Sequence, residues 1–148
     1  MFKNILVPID LAHVEKDSSL VKIAKDFAKK HDCKLTFLNV IPDFPAMVAV
    51  EMVAVVQLPK DLPEKMSSTT RAKLRDLTKK NKFSASTEVR VEHGHPAREI
   101  LKVAADIHAD LILIASHQPG LADYLLGSVA GKVVRHAHCS VLVSRQAV

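Results

Sequence analysis

The sequence predicts an α/β fold, in which a five-stranded, mostly parallel sheet is flanked by four helices in an open, doubly wound arrangement. Three observations lead to this prediction. Five strand-like runs alternate with four helical patterns, and the most apolar run has no polar face. The segments between the runs are long enough for crossover connections between parallel strands. A length of 148 residues fits one domain, and we assign residues 1–148 to it.

Five apolar runs predict the strands, and turn-forming residues bound four of them. The runs cover residues 5–7, 35–40, 87–91, 111–115 and 141–143. The run 111–115 is apolar on both faces, as a parallel strand covered by helices on both sides requires. The run 87–91 alternates polar and apolar residues, which favours an edge or half-covered strand.

Apolar residues at three- and four-residue spacing predict the four helices. The helical stripes are Leu20, Ile23, Ala24, Phe27 and Ala28; Met66, Leu74 and Leu77; Ile100, Leu101, Ala104 and Ile107; and Ala130, Val133, Val134 and Ala137. We expect the third helix to open at Pro96, because a first-turn proline loses no helical hydrogen bond. The fourth should begin near Gly127 and Ser128.

Composition excludes several classes of protein. Apolar residues form 48% and charged residues 25%, which is typical of globular proteins and not of disordered ones. No run of about 18 apolar residues and no signal peptide is evident, so we expect a cytoplasmic protein without a membrane partner. Cys33 and Cys139 are then reduced thiols. The net charge of +5 permits weak attraction to anions but does not indicate a nucleic-acid binder.

The segment from Asp43 to Asp61 departs from the pattern. It is long for a connection between a strand and a helix, is rich in Val, Ala and Met, and contains Pro45 and Pro59. Two interpretations stay open: a mobile flap, or a short extra helix that covers the edge of the sheet.

Ligands of open parallel sheets bind at the carboxyl ends of the strands, where loops and helix N-termini meet. Asp10 follows the first strand and can accept hydrogen bonds from a ribose, or it can simply stabilise a turn. Three of the four glycines, Gly120, Gly127 and Gly131, lie within twelve positions after the fourth strand. Gly127 and Ser128 can present N–H groups and a hydroxyl to a phosphate, or they can merely form a turn and a helix cap.

Together these segments resemble the universal stress protein family along the whole chain. The resemblance rests on residues 4–10 (NILVPID), 39–42 (NVIP), 92–94 (EHG), 126–128 (LGS) and 133–143 (VVRHAHCSVLV). The segments 115–119 (ASHQP) and 123–128 (DYLLGS) look most like the F-type branch of small, single-domain bacterial members.

The resemblance implies an adenine-nucleotide alpha-hydrolase-like fold and a ligand that is ATP or another adenine nucleotide. By that resemblance, three groups of residues bind the ligand. Residues Pro8, Ile9 and Asp10 line its ribose and adenine side, Val40 offers backbone to adenine, and Gly127, Ser128 and Val129 hold phosphate, with Ala115, Ser116, His117 and Gln118 in or beneath the loop. Whether Mg²⁺ accompanies the nucleotide stays open.

The loop departs from the family's ATP-binding pattern, Gly-x2-Gly-x9-Gly-Ser or Gly-x2-Gly-x9-Gly-Thr. Counted without a gap, Ile114 and His117 occupy the two earlier glycine positions, and with one deletion Ala115 and Gln118 occupy them. Gln118 could obstruct the ligand, or its amide could donate a hydrogen bond to it. A nucleotide-independent interaction protein is therefore the alternative function. A slow ATP-hydrolysing or phosphoryl-transfer enzyme is a third.

We do not expect a dedicated enzyme or a metal site. No nucleophile, base and orienting acid form an obvious set, and neither His93 with His95 nor His136 with His138 has a completing ligand pattern. The basic segment 71–82 is typical of a solvated helix face, so we expect no nucleic-acid partner.

The last strand, from Ser140 to Val143, would leave an open apolar edge. Self-pairing across a twofold axis would cover it, and the family resemblance implies such antiparallel pairing, so we expect a homodimer. A further protein partner is expected but is not identified by the sequence.

Overall fold

Five parallel strands form one sheet in the computed structural model, which describes residues 1–13, 18–43, 59–116 and 126–145. The strands are β1 (Asn4–Pro8), β2 (Lys34–Ile41), β3 (Glu88–His93), β4 (Leu111–Ala115) and β5 (Ser140–Ser144). Their order across the sheet is β3-β2-β1-β4-β5, and every neighbouring pair is parallel. The predicted fold class is confirmed.

Within the described residues four helices connect these strands, as predicted. They are α1 (Ser18–Lys30), α2 (Leu62–Lys80), α3 (Pro96–Asp106) and α4 (Ser128–His136), and a short 3-10 helix (Leu11–His13) follows β1. Helix α3 begins at Pro96 and α4 at Ser128, both where the sequence places them. No helix in the described ranges has the length and apolarity needed to cross a bilayer.

Two apolar clusters, one on each face of the sheet, form the core. Alternate residues of β1 separate between them: Ile5 and Val7 pack with α1 and α2, whereas Leu6 packs with α3 and α4. Strand β4 divides in the same way and is buried over its first four residues. Burial on both faces explains why the run 111–115 has no polar side.

The two edge strands of the sheet differ in their exposed residues. Strand β3 is one edge strand, which confirms the prediction from its alternating pattern. Its Val89 and Val91 pack against the α1–α2 cluster, while Glu88 and Arg90 lie on the opposite face. Strand β5 is the other edge and carries three half-buried apolar residues.

The Asp110 carboxylate joins strands at the amino end of the sheet. It accepts hydrogen bonds from the backbone N–H groups of Lys3 at 2.7 Å and Asn4 at 3.2 Å. Cys33 and Cys139 are free thiols, and burial together with the Asp110 charge raises the pKa of both. Both thiols are therefore protonated at neutral pH and are poor nucleophiles.

Most of the segment from Asp43 to Asp61 lies outside the described residues, and so do His117, Gln118 and Gly120. The alternatives of flap and extra helix for that segment stay a prediction. Among the described residues, no three His, Cys, Asp or Glu side chains form a group that could hold a metal ion.

Two helices end on non-glycine residues in the left-handed conformation. Lys82 after α2 has φ 55° and His108 after α3 has φ 50°. In both cases the N–H of the next residue donates a hydrogen bond to the carbonyl five residues earlier, Phe83 to Thr78 and Ala109 to Ala104, which closes a Schellman turn.

Glycine at either position should stabilise the protein. The left-handed conformation is strained for a residue with a β carbon, so we expect Lys82→Gly and His108→Gly each to raise the free energy of unfolding by about 0.5–1 kcal/mol. Chemical denaturation measures this. The control is Lys73→Gly at an exposed position inside α2, which should lower stability by a similar amount. A loss of stability in both left-handed variants would contradict the account.

Candidate functional site

A cavity of about 490 Å³ lies at the carboxyl ends of β1, β2 and β4. The strand order reverses between β1 and β4, because connections from β1 run toward β2 and later ones run toward β5. Loops diverge at such a switch point and leave a crevice, which is where ligands of open α/β sheets bind. The first turns of α3 and α4 complete the wall.

The end of β1 forms one side of the cavity and is fixed by β2. The N–H of Ile9 donates to the carbonyl of Leu38 at 2.8 Å, and the Asn39 side-chain amide donates to the carbonyl of Ile9 at 2.8 Å. These two bonds hold the backbone in place where it leaves the sheet. Pro8, Ile9 and Asp10 therefore line the cavity from a rigid support.

Asp10 has the turn role that the sequence offered as one interpretation. Its Oδ1 accepts a hydrogen bond from the N–H of Ala12 at 3.0 Å, which stabilises the start of the 3-10 helix. The residue is also exposed and lines the cavity. It is the one carboxylate among the described cavity residues, so the turn and a ligand contact are compatible.

The N-terminus of α4 forms the opposite side. Gly127 is its N-cap residue, is buried, and has φ −52° and ψ 150°, a conformation open to other residues. Because Gly127 has no side-chain oxygen, the N-cap residue makes no side-chain capping hydrogen bond to the helix. The first N–H groups of a helix have no partner within it, so those of Ser128 and Val129 give this side a positive character.

Ser116 supports this helix from behind. Its Oγ accepts a hydrogen bond from the N–H of Gly127 at 3.4 Å, and its own N–H donates to the carbonyl of Ser144 at 2.9 Å. Ser116 thus joins the ends of β4 and β5 to the start of α4. It does not line the cavity itself, whereas Ala115 does.

The structure brings most of the predicted site residues together. Eight of them line the one cavity: Pro8, Ile9, Asp10, Val40, Ala115, Gly127, Ser128 and Val129. His117 and Gln118 lie outside the described residues.

Sequence reasoning did not assign part of the wall. The unassigned lining residues are Ala12, Leu38, Pro96, Ile100, Ile114 and Ala130, whereas Asn39 and Pro42 belong to the segment 39–42 whose backbone the sequence offered to a base edge. Pro96 and Ile100 could have been found, because the start of α3 was predicted and helix starts follow the carboxyl ends of strands. The apolar members depend on which way each strand faces, which the site motifs do not reveal.

The cavity has an apolar middle and polar ends. Its size is within the range of small-molecule sites, and the apolar side chains of β2, β4 and α3 suit a flat ring system. The α4 N-terminus suits an anion, and Asp10 suits hydroxyl donors. Such a cavity can bind a molecule that joins a ring, a sugar and a phosphate.

The family model for the universal stress protein family matches residues 1–145. The chain belongs to the universal stress protein family. Universal stress protein G of Escherichia coli O157:H7 is 27% identical over 146 residues, which cover 98% of this chain and 100% of that protein. Universal stress protein MJ0531 of Methanocaldococcus jannaschii is 29% identical over 147 residues, covering 99% of this chain and 84% of that protein.

Solved structures support the same family fold. Hypothetical protein MJ0577 has a TM-score of 0.77 at 26% identity, covering 99% of this chain and 98% of that chain. UspA from Lactobacillus plantarum has a TM-score of 0.69 at 24% identity, with 97% of each chain covered. The resemblance found in the sequence motifs is thereby confirmed at the level of family and fold.

Proposed function

We propose that this universal stress protein binds an adenine nucleotide as a regulatory ligand in a cytoplasmic stress response. The observation that carries the proposal is the cavity of about 490 Å³ at the switch point of the sheet, which has the α4 N-terminus at one end and Asp10 at another. One protein of similar fold is described as a universal stress protein in complex with cAMP, which is an adenine nucleotide.

Each part of the ligand has a matching part of the cavity. The phosphate would accept hydrogen bonds from the first N–H groups of α4, with the Ser128 hydroxyl beside them. The ribose hydroxyls would donate to Asp10. The adenine ring would lie against apolar side chains near Val40, whose backbone lies at the β2 end. None of these contacts requires the earlier glycines of the family loop.

Binding is the function proposed, without dedicated catalysis. The described wall contains one carboxylate, Asp10, and that carboxylate is already bonded to the N–H of Ala12. Its contacts suit an anchor for hydroxyl groups. A nucleotide held in this way would alter the surface around the cavity. A partner protein that binds the nucleotide-bound form more tightly would then respond to the nucleotide.

Calorimetric titration with ATP, ADP and AMP tests the proposal. We expect saturable binding of at least one of them at one site per chain. If none of the three binds at millimolar concentration, the cavity does not act as a nucleotide site, and the nucleotide-independent interaction protein becomes the better account.

We also propose a homodimer that pairs the β5 edges of two copies. Strand β5 ends the sheet, and Val141, Leu142 and Val143 on it are only half-buried within one chain. Val134 of α4, the helix that contacts β5, is 43% exposed. An unpaired edge with this composition favours pairing with a second strand, and a twofold axis would make the pairing antiparallel.

Sedimentation velocity at micromolar concentration measures the state of assembly. We expect a species of twice the 16.2 kDa chain mass that dissociates on dilution. A species with the mass of a single chain at every concentration would overturn the dimer and leave the nucleotide proposal untouched.

A further inference from the structure

A second cavity, of about 260 Å³, lies at the amino ends of the strands, opposite the first cavity. It lies between the first halves of β1, β2 and β3 and the last turn of α3. Its lining is mostly polar, in contrast to the nucleotide cavity, and the two cavities share no residue.

Thr36 brings an unsatisfied hydroxyl to this cavity. The residue is 2% exposed, and within the described part of the chain its hydroxyl makes no hydrogen bond. Every fully enclosed side-chain polar atom among the described residues has a partner. The Thr36 hydroxyl must therefore reach the cavity that the residue lines, where it can donate to or accept from a ligand.

Arg90 adds a cation without a counterion. Its residue is half-buried, and within the described ranges its guanidinium makes neither an ion pair nor a hydrogen bond. The nearby Lys34 differs, because its Nζ lies 2.7 Å from Oε1 of Glu88 and that pair is neutral overall. A half-buried guanidinium, which cannot lose its proton, favours a carboxylate or another planar anion.

The last turn of α3 makes the opposite wall negative. A helix C-terminus carries a partial negative charge, and α3 has no basic residue in its last turn to compensate it. It ends instead on Asp106, whose carboxylate pairs with no group in the described residues. Arg90 and Asp106 line the same cavity, yet they lie too far apart for an ion pair.

We infer that this cavity binds a small zwitterion that bridges the gap, an amino acid or a molecule of similar charge pattern. Its carboxylate pairs with the Arg90 guanidinium, and its ammonium group pairs with the Asp106 carboxylate. The Thr36 hydroxyl donates a hydrogen bond to the carboxylate from the side of the sheet. The site does not depend on the nucleotide cavity, so either proposal can fail alone.

The test is calorimetric titration of the whole protein with amino acids of increasing charge separation: glycine, β-alanine, γ-aminobutyrate and ε-aminocaproate. Acetate and ethylamine serve as the two halves of the ligand. We expect at least one zwitterion to bind about tenfold or more tightly than either half, because both charges are then satisfied together.

Variants assign the contacts. Arg90→Gln and Asp106→Asn should each weaken the best zwitterion at least about tenfold, and neither should lower the melting temperature. Arg98→Gln is the matched control, because Arg98 is exposed on the same helix as Asp106 and pairs with Glu99. It should leave binding unchanged. Failure of the whole series to bind, equal binding of acetate, or full binding by Arg90→Gln would each overturn the inference.

Discussion

Gly127→Val is expected to weaken adenine-nucleotide binding at least about 100-fold. Gly127 is buried, lines the cavity and directly precedes the first turn of α4. A valine side chain there would occupy space beside the N–H groups proposed to hold phosphate. The backbone itself has φ −52° and ψ 150°, which valine tolerates, so the expected effect comes from lost space and not from strain.

Ser128→Glu separates binding from folding. Ser128 is exposed in the first helical position, where a carboxylate interacts favourably with the helix dipole. The same negative charge repels a phosphate. We therefore expect unchanged or higher thermal stability together with a loss of nucleotide affinity, a combination that simple unfolding cannot produce.

Gly131→Ala is the control within the same helix. A β carbon at Gly131 would meet Leu126 Cβ at 3.9 Å, an ordinary contact. Its nucleotide affinity should equal that of the unchanged protein. Calorimetric titration of the three variants decides the matter, and undiminished affinity in both Gly127→Val and Ser128→Glu would place the nucleotide elsewhere.

Gly94→Ala is expected to lower the free energy of unfolding by about 2–4 kcal/mol, the sum of backbone strain and a clash. Gly94 connects β3 to α3 with φ +135°, a region that residues with a β carbon rarely adopt. An added β carbon would also lie 3.0 Å from Oε1 of Glu99, which is 6% exposed. The N–H of Gly94 donates to Ile41 at 3.0 Å and resists a shift of the chain.

A double-mutant cycle with Glu99→Ala divides this cost. Removing the Glu99 side chain removes the atoms nearest the added β carbon, so Gly94→Ala should cost less in that background, and the strain from φ should remain. Chemical denaturation of the four proteins provides the measurement. A cost below about 0.5 kcal/mol for Gly94→Ala would show that the backbone relaxes and would contradict the account.

Much of the fold could be predicted because burial leaves a direct pattern in sequence. The run 111–115 is apolar throughout since helices cover both faces of β4, and the run 87–91 alternates since β3 is an edge strand. The starts of α3 and α4 were equally clear, because Pro96 and Gly127 mark helix beginnings.

The order of the strands and the second cavity could not be predicted in this way. Thr36 and Arg90 meet the end of α3 only because the register pairs Thr36 with Glu88 and Leu38 with Arg90. The burial of Glu99 was also missed. A charged residue on a helix is expected at the surface, and here Gly94 leaves the room for its side chain to lie inside.

The proposed nucleotide site lies between these cases. Asp10, Gly127 and Ser128 belong to motifs that follow a strand or start a helix, so the sequence pattern assigned them, and the family resemblance added Pro8. The support from Asn39, whose amide fixes the carbonyl of Ile9, depends on a contact across 30 positions of the chain. Such contacts become visible only when the register of β1 against β2 is known.

Native mass spectrometry of the freshly purified protein, followed by acid release and identification of any small molecule, tests the central claim most directly. It assumes no particular ligand. We expect an adenine nucleotide at about one per subunit or, where purification has removed it, recovery of that mass on addition of ATP. A protein that carries no nucleotide and also fails to take up ATP at millimolar concentration would contradict the account and favour a nucleotide-independent interaction protein.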